Sequence, residues 1–74
     1  MIICRMIKSH THLEFWDVDG TILHESEENV APFPLRIGEQ IVFGDRPYQV
    51  AEIIDTDPRE LDGTLYYRRF VRVR

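Results

Sequence analysis

Three groups of side chains in this 74-residue sequence are of types that can do chemistry. The first is Asp17-Val18-Asp19-Gly20-Thr21, two carboxylates one residue apart followed by a glycine and a hydroxyl. One carboxylate of such a pair can attack phosphorus while a magnesium ion neutralises the phosphate oxygens and the second carboxylate shuttles a proton. The second group is His10 and His12, which point to one side if they lie on a strand. Glu14 extends that spacing, and His24 joins the face in one register of the hairpin that follows. Together they can ligate zinc or nickel; otherwise they form a solvated polar face, with His10 in a connecting turn. The third group is Tyr66, Arg68, Phe70, Arg72 and Arg74, alternating along the last segment. Aromatic and arginine side chains in alternation stack on bases and contact phosphates, and they also dominate protein-interface hot spots. Their bland alternative is that the arginines pair with Glu25, Glu27, Glu28, Asp55 and Asp57 while Phe70 packs against Val30–Phe33. Cys4 is the only cysteine, so an intramolecular disulfide is impossible, and it reads as a small buried hydrophobe on an N-terminal strand.

The elements that must position these residues are strands. No segment carries an apolar period of 3.6, whereas strand-forming residues arrive in short runs between turn signals. Met1–Lys8, His12–Val18, Thr21–Glu25, Gln40–Phe43, Arg46–Ile54 and Thr64–Arg74 are the expected strands. Ser26–Gly38 reads as a long loop, and Asp55–Gly63 as a loop or one short helical turn near Pro58–Leu61. Two registers compete for the first hairpin. A two-residue Asp19-Gly20 turn sets Trp16 opposite Leu23 and Glu14 opposite Glu25, and like charges in direct opposition are unfavourable. A three-residue loop, Val18-Asp19-Gly20 with Gly20 left-handed, sets Asp17 opposite Thr21, Phe15 opposite Leu23 and Glu14 opposite His24. The second register is preferred. On the last strand, Leu65, Tyr67, Val71 and Val73 share the core side with Arg69 interrupting, and the aromatic/arginine group takes the other side.

Two local resemblances bear on fold and activity. Pro34–Ile53, with Gly38-Glu39 leading into Gln40–Phe43, a Gly44-Asp45 turn and the return Tyr48-Gln49-Val50, resembles the hairpin of small SH3-like barrels. That likeness covers about twenty residues and implies a fold more than a function. Phe15–Leu23 resembles the first signature of haloacid-dehalogenase-type phosphatases, D-x-D-G-T after a hydrophobic strand. The resemblance implies Asp17 as nucleophile and magnesium ligand, Asp19 as acid/base and Thr21 as a phosphate contact. That family also uses a large α/β domain, a lysine and further acids. Here the only lysine, Lys8, precedes the motif, and only 23 residues separate Thr21 from Asp45. Turn chemistry in a hairpin, where aspartate and glycine are favoured, is the preferred reading of these residues.

Composition limits the classes further. The apolar fraction of 43% suffices for a small core, and the formal charge of −4 is unevenly spread. The last eleven residues hold four arginines and no acid, against five cations and thirteen acids before them. An acidic body argues against duplex DNA, which selects a net basic domain. No leader and no apolar run long enough to span a bilayer is evident, and a lone cysteine suits a reducing compartment. The expectation is therefore one all-β domain over residues 1–74, a small SH3-like or otherwise closed barrel of five to six antiparallel strands, cytoplasmic and not membrane-bound. It is expected to be a non-catalytic module without a cofactor, binding a protein partner or itself through Tyr66, Arg68, Phe70, Arg72 and Arg74. Nucleic-acid binding by the same strand is one alternative. Metal binding, or phosphoryl transfer at Asp17 and Asp19, is the other.

Overall fold

In a computed structural model that describes residues 8–74, alternation of apolar and polar side chains resolves into six strands and no helix. They are β1 (Lys8–Trp16), β2 (Ile22–Glu28), β3 (Gln40–Phe43), β4 (Arg46–Asp55), β5 (Arg59–Leu61) and β6 (Thr64–Val73). Met1–Ile7, and with them Cys4 and most of the expected first strand, lie outside the described residues. The strands form one sheet in the order β2-β1-β6-β4-β3, with β5 also paired to β6. Four of the five pairings are antiparallel, but β1 and β6 run parallel from Lys8↔Thr64 to Trp16↔Arg72. The expectation of antiparallel pairing throughout is thus corrected. Hairpin turns link only neighbours in sequence, and the first and last strands have no hairpin to fix their relative direction.

The sheet curls into a half barrel around its concave face. Leu13 and Phe15 of β1, Val71 and Val73 of β6, and Tyr48 and Val50 of β4 are buried there. Each such side chain contributes about 1.5–3 kcal/mol relative to full exposure. Leu23, Leu35, Ile41, Phe43 and Ile53 pack around them. Phe43, on the far edge strand, makes the curl: its ring centroid is 4.9 Å from that of Phe15 and 6.0 Å from that of His24. The two ends of the sheet therefore meet through side chains. Tyr48 completes the aromatic group at 5.9 Å from Phe43, and the Arg46 guanidinium sits 5.6 Å over the Tyr48 ring.

Turn chemistry places the hairpins. Gly44, at φ +61°, takes the first position of the two-residue loop that sets Phe43 opposite Arg46, the position where a type II′ turn requires glycine. Asp62 and Gly63 both have positive φ, 51° and 78°, as a type I′ loop demands, and they close Leu61↔Thr64. The segment read as loop or helical turn is therefore a third hairpin, with β5 as its short outer strand.

The long Asn29–Glu39 connection is fastened across the concave face by two polar residues that point inward. Thr11 Oγ1 donates to the Val30 carbonyl at 2.7 Å. Arg69 explains its own interruption of the apolar side: Nη1 donates to the Phe33 carbonyl at 2.6 Å. Its Nε and Nη2 hold both Asp55 oxygens at 2.6 and 3.1 Å. The Arg69 side chain is only 11% exposed, so all three bonds are needed to offset its desolvation. We expect Arg69→Ala to cost about 2 kcal/mol in urea denaturation, and Asp55→Asn, which keeps an acceptor, to cost less than about 1. A loss under about 0.5 kcal/mol for Arg69→Ala would mean that this loop is held elsewhere.

Candidate functional site

The parallel pairing of β1 and β6 puts the even-numbered residues of both strands on the convex face. They lie in register as His10↔Tyr66, His12↔Arg68, Glu14↔Phe70 and Trp16↔Arg72. The antiparallel neighbours extend these rows, with Glu27 opposite His12 and Glu25 opposite Glu14 on β2, and Ile54 opposite Phe70 and Glu52 opposite Arg72 on β4. The expected binding strand is therefore the centre of a continuous outer face. Trp16, Ile54, Phe70, Val71 and Arg72 line a shallow groove of about 210 Å³ there. Tyr66 is 40% exposed and its ring lies 5.7 Å from that of His10. Phe70 faces His12 at 6.4 Å, on the side of the sheet away from the Val30–Phe33 loop. Among the described residues Arg72 pairs only distantly with Glu52, at 3.9 Å, and Arg68 and Arg74 make no ion pair. Arg74 continues the ladder by exchanging both backbone bonds with Gln49, at 2.8 and 2.9 Å.

At the heart of the face, His12 lies between two carboxylates. Its Nε2 is 2.6 Å from Glu14 Oε2 and its Nδ1 is 3.2 Å from Glu27 Oε1. Both nitrogens can face acceptors only if both carry protons, so this geometry selects the imidazolium. The bond to Glu14 is the main cause raising the His12 pKa above its ordinary 6.5; burial opposes it, and Glu27 and the charges of Glu14 and Glu25 add to it. The other Glu14 oxygen accepts from the Trp16 indole N–H at 3.0 Å, which fixes that ring. His10 hydrogen-bonds Asn29 through Nδ1, at 2.8 Å.

His24 does not join this cluster. Near the turn the preferred register holds: Asp17 N–H donates to the Thr21 carbonyl at 2.8 Å, and Gly20 has φ +88°. Between Trp16↔Ile22 and Phe15↔His24 the register shifts, leaving Leu23 as an extra residue. From there on the pairs follow the other register, with Glu14 opposite Glu25. The bulge lets Leu23 pack on the core and sets the exposed His24 ring against Phe15 and Phe43, at 6.1 and 6.0 Å. Like charges in direct opposition are tolerated because His12 is charged beside them. Among the described residues no group of three or more His, Cys, Asp or Glu is placed to hold a metal.

The Asp17–Thr21 carboxylates are engaged by backbone. Asp17 Oδ1 accepts from Val18 N–H at 2.7 Å, and Asp19 Oδ1 from Thr21 N–H at 2.9 Å. The Thr21 N–H, and then its hydroxyl, hold the Asp19 pKa below the usual carboxylate value. Both acids thus shape the three-residue loop. The groups that sequence reasoning missed here are Trp16 and Ile54 as walls of the groove. Trp16 had only its place in the alternation to signal it, and Ile54 depended on the β4–β6 register.

A histidine whose folded pKa lies above its unfolded value stabilises the fold fully below the unfolded pKa, and that contribution disappears as pH rises through the folded pKa. The urea midpoint is therefore expected to fall as pH rises above the ordinary histidine value of 6.5. His12→Gln should flatten that fall, and the His12 ring resonances should titrate with it. An unchanged slope in His12→Gln would assign the dependence to another group. Among the described residues no helix is long and apolar enough to cross a membrane. No family model matches the chain, no curated protein matches it, and no solved structure matches it.

Proposed function

We propose that the chain is a non-catalytic interaction module, cytoplasmic in location, whose outer face binds protein through β6 and its neighbours. The observation that carries this reading is the groove between Trp16, Ile54, Phe70 and Arg72 on the face turned away from the core. Half-buried aromatic side chains kept outside the core, flanked by arginines and including an indole ring fixed by a carboxylate, have the composition of an interface centre. Tyr66 extends it at one end and Arg68 stands between Tyr66 and Phe70, with Arg74 past the end of the strand. The likeness of Pro34–Ile53 to the hairpin of SH3-like modules supports the same reading, since such small barrels serve as scaffolds for binding faces. Glu14, Glu25, Glu27 and Glu52 on the same face oppose a polyphosphate chain and favour a ligand with both charged and apolar groups.

The test is photo-crosslinking from position 70 in the intact chain, in the cells that make it, with a crosslinker at Val42 on the far edge as control. A discrete protein adduct is expected from position 70, insensitive to nuclease and lost on Arg72→Glu. With the captured protein purified, Tyr66→Ala combined with Phe70→Ala is expected to weaken binding at least about tenfold. Adducts that vanish with nuclease would replace this reading by nucleic-acid binding, and no adduct at either position would remove it.

A further inference from the structure

The strip of outer face along β6 is cationic, although the chain as a whole carries a formal charge of −4. Arg68 and Arg72 are exposed there, with the half-buried Phe70 between them. Arg68 stands between His12 of β1 and Thr56, whose backbone N–H donates to the Arg68 carbonyl at 3.0 Å. Phe70 stands between Glu14 and Ile54, and Arg72 between Trp16 and Glu52. Both Glu14 oxygens are engaged, by His12 at 2.6 Å and by the Trp16 indole at 3.0 Å. Glu52 is thus the one acid in these rows that still competes for an arginine, and its carboxylate lies 3.9 Å from Arg72 Nη1. Glu25 and Glu27 belong to β2, two strands and about 10 Å from β6.

Resting on the reading of the outer face as a protein-binding surface, we infer that its occupant is an extended acidic segment of another protein. That segment sets one apolar side chain in the groove and an acid two positions to either side of it. The spacing carries the inference. Arg68 and Arg72 each lie two residues from Phe70 along one strand, a separation of about 6.7 Å. An extended chain laid along β6 repeats its own side chains at the same interval. Its acids therefore meet the two guanidiniums when its apolar residue meets Phe70 and Ile54. The forked guanidinium suits a carboxylate, and the groove of about 210 Å³ between Trp16, Ile54, Phe70 and Arg72 takes one aliphatic side chain. A basic segment would meet like charge at both arginine rows. A polynucleotide, charged at every nucleotide, would also set a phosphate against the Phe70 row, which has no cation and has Glu14 at its side. Two exposed ion pairs around one apolar anchor make a weak contact that salt weakens further.

The experiment is an NMR titration of the isotope-labelled full chain with a synthetic peptide in which glutamate, leucine and glutamate alternate with serine. Saturating shifts are expected at the Trp16 indole N–H, Ile54 and Arg72, with a dissociation constant below about 1 mM at low salt. The matching peptide with lysine in place of glutamate is expected not to bind. Arg68→Glu with Arg72→Glu, its folding read from the same spectra, should weaken the glutamate peptide at least about tenfold and admit the lysine peptide. Should that variant not fold, Arg68→Gln with Arg72→Gln is expected to weaken the glutamate peptide in the same direction. Glu52→Gln, which removes the competing carboxylate, should tighten it. Absence of shifts overturns the inference, as do equal binding of the two peptides, indifference to loss of both arginines, or weaker binding in Glu52→Gln. A single-stranded oligonucleotide that displaces the glutamate peptide overturns it too, in favour of nucleic acid. If the peptide fails but position 70 still crosslinks to a protein, the acidic segment falls while the interaction module stands. If position 70 captures nothing either, both fall.

Discussion

The pairing on which the rest depends is the parallel ladder between β1 and β6. Both strands alternate, and a parallel register with matched parity turns two half-apolar strands into a sheet with two distinct faces. Leu13 and Phe15 meet Val71 and Val73 on one side, while His12, Glu14 and Trp16 meet Arg68, Phe70 and Arg72 on the other. A slip of one residue would put Val71 and Val73 on the histidine and carboxylate face, and would bring Arg68 and Arg72 into the core. Because the two strands come from opposite ends of the described chain, closing this ladder carries the largest loop-closure cost in the fold. Burial of Val71 and Val73, both without measurable exposure, is the return on that pairing.

From this ladder the other devices follow. The concave face needs cover, and a single sheet can supply it only by curling or by drawing a loop across. Both occur. Phe43 reaches from one edge of the sheet to His24 on the opposite edge, and Thr11 and Arg69 hold the carbonyls of Val30 and Phe33 over the other end. Arg69 is instructive because its charge sits on the apolar side of β6. Its role there is geometric: the guanidinium is planar and forked, so it can hold the Asp55 carboxylate and a loop carbonyl together.

Much of this was legible in local sequence, and what was not depended on contacts distant along the chain. Gln40–Phe43, Gly44-Asp45 and the strand from Arg46 were readable because turn type and alternation are local. So was the separation of Tyr66, Arg68, Phe70 and Arg72 from Val71 and Val73. The Asp62-Gly63 dipeptide carried the same signal as Asp19-Gly20, but Pro58 and the charges around it obscured the three-residue strand before it. The first hairpin presented two registers as rivals. The fold uses both, one on each side of Leu23, because the turn favours one and core packing of Leu23 favours the other. No single-register analysis could place His24. The parallel direction of β1 against β6 had no local signal at all, and with it went Ile54 and the groove.

The bulge also sets the electrostatics of the convex face. By switching register it brings Glu25 opposite Glu14, with Glu27 one row away, which in isolation would weaken β2 as an edge strand. His12 relieves that repulsion by standing between the carboxylates, and Trp16 takes the remaining Glu14 oxygen. The acidic side of the face is therefore held in place by groups from β1. Arg68 and Arg72 of β6 are left to face outward: among the described residues Arg68 makes no ion pair and Arg72 reaches Glu52 only at 3.9 Å. On this face β1 thus separates the acids of β2 from the cations of β6, and only on the β4 side does an acid, Glu52, stand opposite an arginine, Arg72.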